Sequence, residues 1–175
     1  MAENNGPIAV PKEWPAEVVH IYEPVKFLGQ GGFGMVVLAK SKKEKTQLHA
    51  IKVVGSKDAT RKEIGYANRE INILTEVDHP NIMRLVQHWE PAADSHRNCV
   101  AVMALSYAAG PTLQFLVNLG GRLSLPFARV VCAQLVDAVS YLHGRAVVHR
   151  DIKPDNVIVT GASKDDDEVY DDIIK

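Results

Sequence analysis

Residues 149–156 read HRDIKPDN, and this stretch decides how the rest of the chain is interpreted. It places a carboxylate, an ammonium group and a carboxamide within the six positions from Asp151 to Asn156. Pro154 prevents a helix from running through them, because its ring removes a backbone donor and restricts the residue before it. The stretch therefore predicts a stiff polar loop. Such a loop can direct a base, a cation and a metal ligand at one point, as transfer of a phosphoryl group to a hydroxyl requires.

Short apolar runs lie on both sides of this loop. Val147-Val148 precede it and Val157-Ile158-Val159 follow it. Runs of β-branched residues next to a polar segment favour short buried strands. We therefore expect a strand, a polar loop and a second strand.

The HRDIKPDN stretch resembles the catalytic loop of eukaryotic protein kinases, and a lysine two residues after the aspartate resembles the serine/threonine type. That family has three further motifs upstream of the loop, and an Asp-Phe-Gly motif with an activation loop downstream. Matches to the upstream motifs are present, and the sequence reaches Lys175 without an Asp-Phe-Gly. The resemblance implies an α+β kinase-like fold. We expect a complete small lobe, an antiparallel sheet with one helix, and the first part of a helical large lobe.

The first upstream motif is a glycine-rich segment. Residues 28–36 read LGQGGFGMV, which has the spacing GxGxxGxV. Glycines let backbone amides approach phosphate oxygens without an intervening side chain. Dinucleotide-binding folds use similar glycines but follow them with a helix, whereas residues 35–39 are typical of a strand. The pattern predicts strand, glycine turn and strand; taken alone, a plain β-hairpin turn explains it equally well.

The second motif is a lysine in an apolar strand. Lys52 lies inside the run Leu48–Val54, and a lysine there is costly to desolvate unless it is paired. The resemblance equates Lys52 with the lysine that binds the α- and β-phosphates of ATP. The alternative is an edge-strand lysine whose ammonium group reaches water.

The third motif is a glutamate on the helix that follows. Residues 61–76 carry one apolar stripe at spacings of three and four, which predicts a helix. Glu70 lies next to that stripe, and the resemblance makes it the partner of Lys52. Glu63 is the competitor, but it lies near the start of the helix. A surface partner for Arg69 or Lys62 remains the alternative role for Glu70.

Further elements complete the pattern. Residues 83–89 and 99–105 predict two strands, and residues 105–110 resemble the hinge between the kinase lobes, with Leu105 as the gatekeeper. Residues 112–118 predict a short helix. Residues 124–143 predict a long one, with Ser124 as its N-cap and Gly144 as its left-handed C-terminal stop.

The resemblance assigns a role to each matching residue. Asp151 would accept or orient the proton of the substrate hydroxyl, Lys153 would neutralise the transferring phosphoryl group, and Asn156 would bind Mg²⁺. The residues expected to contact ATP or to hold the lysine are Leu28, Gly29, Gln30, Gly31, Gly32, Phe33, Gly34, Val36, Ala50, Lys52, Glu70, Leu105, Tyr107 and Ile158. ATP and Mg²⁺ are the expected cofactors.

Composition limits the other functional classes. The chain has 175 residues, of which 46% are hydrophobic and 23% charged, as is usual for a soluble domain. A formal net charge of −1 provides no global field toward nucleic acid or an anionic membrane. Cys99 and Cys132 form no metal-binding or disulfide pattern, which fits a reducing compartment. We find no leader pattern and no apolar run long enough to span a bilayer. We therefore expect a cytoplasmic protein, with the nucleus left open, and neither nucleic acid nor membrane as a partner.

The predicted domain organisation follows from these motifs. Residues 1–19 are polar and interrupted by prolines, which predicts a flexible tail. Within it, Trp14 reads as an incidental aromatic, and the alternative is that it packs against the edge of the domain. We assign residues 20–104 to the small lobe, 105–110 to the hinge and 111–175 to an incomplete start of the large lobe. Within the last range, residues 161–167 predict an acidic turn and residues 169–175 the start of a strand.

The predicted function is a serine/threonine protein kinase that transfers the γ-phosphate of ATP to protein substrates. We expect these 175 residues to be inactive by themselves, because the Asp-Phe-Gly aspartate would be the main Mg²⁺ ligand. One alternative is a pseudokinase-like module that binds ATP or a regulatory protein, and the complete set of motif residues argues against it. The other is an unrelated α/β nucleotide-binding protein. The strand after the glycines and the HRDIKPDN loop argue against that alternative.

Overall fold

A computed structural model describes residues 8–12, 14–31, 34–54, 60–90 and 101–161. The chain divides into two compact units. The first contains the described residues up to Glu76 together with Arg84–Tyr107, and the second contains Val77–Met83 together with the described residues from Ala108 onward. Residues 77–83, which the sequence analysis placed in the small lobe, thus belong to the second unit.

The first unit is built on a five-stranded antiparallel sheet. Its strands are β1 (Tyr22–Gly31), β2 (Gly34–Ser41), β3 (Leu48–Val54), β4 (Leu85–Trp89) and β5 (Ala101–Ser106), in the spatial order β1-β2-β3-β5-β4. The glycine-rich segment therefore connects two paired strands, as predicted. The predicted α+β kinase-like fold is confirmed by this sheet together with the helices described below.

Helix α2 (Arg61–Glu76) covers one face of the sheet, with the bounds predicted from its apolar stripe. Its Ala67 and Ile71 are buried in one cluster with Val54 and Met103. Spacings of three and four place these side chains on one side of the helix, so that side faces the sheet.

A segment predicted to be a flexible tail covers the other face of the sheet. Trp14 is 3% exposed and Val18 is fully buried, in one cluster with Val53. Residues from Ala16–Ile21 form helix α1, and Pro15 stands at its N-cap. The tail prediction was therefore wrong from residue 14 onward. Proline is tolerated at the start of a helix, so these prolines precede α1 without preventing it.

The second unit is mainly helical. Helix α3 (Leu113–Gly120) is capped by Thr112, and helix α4 (Leu125–His143) is capped by Ser124, as predicted. A short 3₁₀ turn covers Pro154–Asn156. An apolar cluster of the second unit has buried members from α3, from α4 and from the segment after the 3₁₀ turn: Leu113, Val131, Val157 and Val159.

The end of α4 differs from the prediction. Gly144 has a right-handed φ of −61°, whereas Ala146 has a left-handed φ of +58°. The Val147 amide donates to the Leu142 carbonyl at 3.0 Å, and the Ala146 amide donates to the His143 carbonyl at 2.9 Å. This pair of hydrogen bonds is a Schellman motif. The left-handed stop therefore lies two residues beyond the glycine.

The strand predicted at Val147-Val148 does not form. The Val147 amide is used to cap α4, and the side chain of Val148 is 60% exposed. The segment after the loop behaves closer to prediction, since Val157 and Val159 are buried and Ile158 forms one antiparallel bridge with Thr112. The predicted acidic turn and the strand at residues 169–175 lie outside the described residues, apart from Gly161.

Helix α4 corrects one expectation about membranes. Among the residues that the structure describes, it is the one helix long and apolar enough, by length and composition, to cross a bilayer. Core helices of soluble proteins pass the same test. Here 17% of the apolar window of α4 is buried, and the buried residues are Val131, Ala138 and Leu142.

Candidate active site

Strand β3 and helix α2 bring together the lysine and the glutamate selected from the sequence. The Nζ atom of Lys52 lies 2.5 Å from Oε1 of Glu70. The Lys52 side chain is 18% exposed and the Glu70 side chain 36%. Since the lysine stands on an otherwise apolar strand, this carboxylate offsets part of the cost of its partial burial. The ammonium group is therefore held at a defined place on the sheet.

The competing glutamate has a different task at the start of α2. Glu63 accepts hydrogen bonds through Oε2 from the Thr60 amide at 2.7 Å and from the Thr60 hydroxyl at 2.8 Å. The Glu63 amide in turn donates to the Thr60 hydroxyl at 3.3 Å. These hydrogen bonds to Thr60 lower the pKa of the Glu63 carboxyl. The arrangement is a capping box, and the Thr-x-x-Glu spacing could have predicted it.

Strand register places several of the residues predicted to contact ATP on the same sheet face as the lysine. Lys52 is paired with Val36 on β2 and with Met103 on β5, and Ala50 is paired with Leu105. Directly paired residues share a face, as do residues two apart along a strand. Val36, Ala50 and Leu105 therefore share one face of the sheet with Lys52.

The glycines of the β1–β2 connection differ in what surrounds them. Gly34 has a φ of +119°, and a Cβ atom built on it would lie 1.8 Å from the carbonyl oxygen of Val53. A Cβ atom on Gly29 would meet nothing within 4 Å. The protein's own packing therefore requires glycine at position 34 but leaves open space at position 29.

The remaining predicted contacts in the first unit are less constrained. Leu28 lies at an irregularity of β1, between the residues paired in register, and is 41% exposed. Gln30 is exposed, Gly31 pairs with Gly34, and Tyr107 is partly buried. Gly32 and Phe33, also predicted to contact ATP, lie outside the described residues.

The second unit brings together the three side chains predicted to be catalytic. Oδ2 of Asp151 lies 3.0 Å from Nζ of Lys153. The Asn156 amide nitrogen donates to the same Oδ2 at 2.9 Å and to the Asp151 backbone carbonyl at 2.7 Å. The 3₁₀ turn at residues 154–156 brings Asn156 back toward Asp151. A carboxylate, an ammonium group and a carboxamide thus converge, as the spacing in the sequence predicted.

The backbone before Asp151 was not predicted. Arg150 has a left-handed φ of +67°, a conformation that non-glycine residues seldom adopt. The Asp151 amide donates to Nδ1 of His149 at 3.3 Å. A strained backbone of this kind persists only where surrounding contacts hold it in place, and such strain is common at functional sites. No residue pattern in this stretch signals the left-handed arginine.

The electrostatics of the loop keep the aspartate ionised. Hydrogen bonding from the Lys153 ammonium group, and then from the Asn156 amide, lowers the pKa of the Asp151 carboxyl. Both groups favour the charged form. The carboxylate therefore acts at neutral pH as a hydrogen-bond acceptor.

The same loop has a donor set suited to Mg²⁺. The Asn156 amide nitrogen is directed at Asp151, which leaves the carbonyl oxygen of that amide as a ligand atom. Among the described residues there is no group of three or more His, Cys, Asp and Glu side chains that could hold a metal. Mg²⁺ needs few protein ligands when substrate phosphates complete its coordination. The Asn156 carbonyl oxygen fits that mode of binding.

Ile158, the last of the residues predicted to contact ATP, belongs to the second unit. It is partly buried and lies between the buried residues Val157 and Val159. The chain packs tightly beside it, because a Cβ atom on Gly110 would lie 1.8 Å from the Val159 carbonyl oxygen. Its position is therefore fixed within its own unit.

Comparison with known proteins matches these features to one family. The protein kinase domain matches residues 22–170. The chain is 34% identical over 142 residues to 3-phosphoinositide-dependent protein kinase 1 of Arabidopsis thaliana, covering 81% of this chain and 28% of the relative. It is 32% identical over 138 residues to serine/threonine-protein kinase 36 of Pongo abelii, covering 79% of this chain and 10% of the relative. It is 35% identical over 143 residues to myosin light chain kinase A of Dictyostelium discoideum, covering 82% and 46%. The chain thus spans less than half the length of these relatives, and it belongs to the eukaryotic protein kinase family.

Proposed function

We propose that this chain supplies the ATP-binding and catalytic-loop residues of a serine/threonine protein kinase, which transfers the γ-phosphate of ATP to protein substrates. The observation that carries the proposal is the convergence of Asp151, Lys153 and Asn156 within one short loop. A carboxylate next to a lysine and an amide oxygen can orient a hydroxyl and neutralise a phosphoryl group. The name of the similar serine/threonine-protein kinase 36 supports the serine/threonine type.

In the first unit, Lys52 binds phosphate. Its ammonium group is held by Glu70 at 2.5 Å, on the same sheet face as Val36 and Ala50. Because the ion pair fixes the lysine before nucleotide arrives, little reorganisation is needed when phosphates bind. The glycine turn supplies backbone amides, and open space at Gly29 lets a ligand approach the chain.

In the second unit, Asp151 orients the substrate hydroxyl. Its carboxylate is ionised at neutral pH, because Lys153 and Asn156 lower its pKa. Proton transfer from the hydroxyl to this carboxylate accompanies attack on the γ-phosphorus, and the bond to the bridging oxygen of ADP breaks. Lys153 lies close enough to offset charge on the transferred group. The Asn156 carbonyl oxygen would hold Mg²⁺ in this loop, and the bound ion would offset the charge of the ATP phosphates.

Two finer proposals concern these residues by themselves and in the cell. A polypeptide of residues 1–175 alone transfers little phosphate, because it contains Asn156 but no Asp-Phe-Gly aspartate to complete the metal site. The intact kinase works in the cytoplasm, with the nucleus as the alternative, and imaging of a fluorescent fusion tests this directly. A fusion confined to an organelle lumen would contradict this location.

The experiment compares two glutamates on one helix. We would substitute Glu70→Gln and Glu63→Gln in the intact protein and measure Mg²⁺-dependent phosphate transfer to protein serine and threonine. Only Glu70 contacts Lys52, whereas Glu63 caps α2 through Thr60. We expect E70Q to lower kcat/KM by at least about tenfold and E63Q to change it less than about threefold.

Each other outcome has a definite meaning. Equal losses in E70Q and E63Q would show that α2 acts only through its stability, which contradicts the proposed role of the ion pair. ATP binding without any phosphate transfer by the unsubstituted protein would instead support a regulatory module of the pseudokinase kind.

A further inference from the structure

Residues 8–21 lie outside the region that matches the protein kinase domain, which begins at residue 22. They nevertheless contribute Trp14 and Val18 to the core of the first unit. We infer that these residues are a structural layer of the kinase small lobe, and that Trp14 and Val18 position β3, the strand that carries Lys52. The effect on ATP rests on the function proposed for Lys52, whereas the layer itself does not.

Burial shows that the segment is part of the folded unit. Trp14 is 3% exposed and Val18 is fully buried. Both belong to the cluster that contains Ile51, which is fully buried, and Val53, which is 3% exposed. Partly buried residues Ile8, Val19 and Ile21 pack against the same cluster. A free tail would not exclude water from so many apolar side chains on one sheet face.

The alternation of β3 connects this layer to the lysine. Side chains of successive strand residues point to opposite faces. Ile51 and Val53 therefore face Trp14 and Val18, and Lys52 between them faces the side that α2 covers. One layer fixes the back of the strand and the other supplies Glu70. The lysine can meet its partner only while both layers hold the strand in place.

Hydrogen bonds attach the segment to the sheet at the end of α1. The backbone amide of Lys42 donates to the Ile21 carbonyl at 2.8 Å, and its Nζ atom donates to the Val19 carbonyl at 2.7 Å. These carbonyls belong to the last turn of a helix and would otherwise lack partners within it. Lys42 follows β2 directly and begins the turn toward β3. The layer is therefore bound to the same hairpin that it packs against.

The test uses point substitutions in the intact protein. We would compare Trp14→Ala, Trp14→Phe and Val18→Ala with Glu17→Gln, an exposed residue on the same helix. The first measurement is hydrogen exchange at the amides of residues 51–53, and the second is the Kd for ATP. Exchange reports local opening of β3 whether or not the protein binds nucleotide.

We expect W14A and V18A to speed exchange in β3 by at least about tenfold and to raise the Kd for ATP several-fold. W14F retains a large aromatic side chain and restores both values toward those of the unsubstituted protein, and E17Q changes neither. V18A removes less volume than W14A and so provides the same comparison if W14A does not fold.

Unchanged exchange at residues 51–53 in V18A, with α1 still folded, would overturn the inference. So would faster exchange spread equally over α4 in the second unit, because that pattern reports global unfolding. A protein that binds no ATP but shows faster β3 exchange in V18A contradicts the proposed function and leaves the structural layer supported.

Discussion

The glycines at positions 29 and 34 provide the sharpest prediction about stability. A Gly34→Ala substitution would bring a methyl group within 1.8 Å of the Val53 carbonyl oxygen, at a residue with a φ of +119°. A Gly29→Ala substitution would place the same group where nothing lies within 4 Å. Both variants replace glycine by alanine and so add the same methyl group. Each is therefore the matched control for the other.

The expected magnitude follows from two separate costs. A left-handed backbone costs an alanine about 1–2 kcal/mol relative to glycine. Moving β3 away from the added methyl group costs about 1–3 kcal/mol, as overpacking usually does. We therefore expect G34A to lower the free energy of unfolding of the first unit by about 2–5 kcal/mol. G29A should change it by less than about 1 kcal/mol, because it meets neither cost.

Tryptophan fluorescence is a suitable assay. The chain contains two tryptophans, and both Trp14 and Trp89 belong to the first unit. Urea unfolding followed by their emission therefore reports that unit, even if the second unit unfolds separately. Equal midpoints for G34A and G29A would refute the packing argument. We also expect G29A to weaken ATP binding, since its open space is where ligand would approach.

Three further predictions concern single groups. Ala146→Gly should raise the free energy of unfolding of the second unit by about 1 kcal/mol, because Ala146 has a left-handed φ of +58°. Urea titration followed by circular dichroism measures this, and a loss of stability would contradict the Schellman geometry. Burial lowers the pKa of His49, with the Arg84 charge adding to the effect, so the folded first unit binds fewer protons than the unfolded chain. Its urea midpoint should fall as pH drops below about 6.5, and His49→Gln should reduce that dependence; an unchanged dependence would contradict it. Lys153→Met should raise the pKa of Asp151 toward its ordinary value, since the hydrogen bond from Lys153 is the largest cause of the lowered pKa. A carbon-13 titration of the Asp151 carboxyl measures this pKa, and no rise would contradict the contact between Lys153 and Asp151.

Local pattern was enough to predict the elements that carry the candidate site. Lys52 stands in a strand whose bounds match the apolar run, and α2 matches its apolar stripe. The stripe also placed Glu70 beside the buried face, whereas its pairing with Lys52 was predicted from the resemblance to protein kinases. The bounds of the strand and of the helix depend on periodicity within one element, which can be read directly from the sequence.

Features that depend on distant contacts were missed. Trp14 and Val18 lie four residues apart, a helical spacing, but prolines and polar neighbours made the segment look like a tail. Trp14 and Val18 are buried against the sheet face opposite α2, and this contact is visible only in the structure. The stop after α4 was placed at Gly144 because glycine favours left-handed backbone, yet Ala146 adopts it. The Schellman hydrogen bonds of Ala146 and Val147 accompany that conformation, although glycine has the stronger intrinsic preference for it.

The strand predicted at Val147-Val148 also depended on contacts with the rest of the chain. β-Branched residues favour a strand, but a strand needs a partner for its amides and cover for its side chains. The Val147 amide bonds to Leu142 instead, and Val148 is 60% exposed. Two residues of strand-like composition therefore carry little information without their neighbours.

The most direct test of the central claim is an Asp151→Asn substitution in the intact kinase, with ATP binding and phosphate transfer measured on the same preparation. Asparagine keeps the size of the side chain but removes the charge that Lys153 and Asn156 surround. We predict that ATP binds with a Kd within about threefold of the unsubstituted protein, while transfer to serine and threonine falls by about 10²–10⁴-fold. Undiminished transfer by D151N would contradict the account.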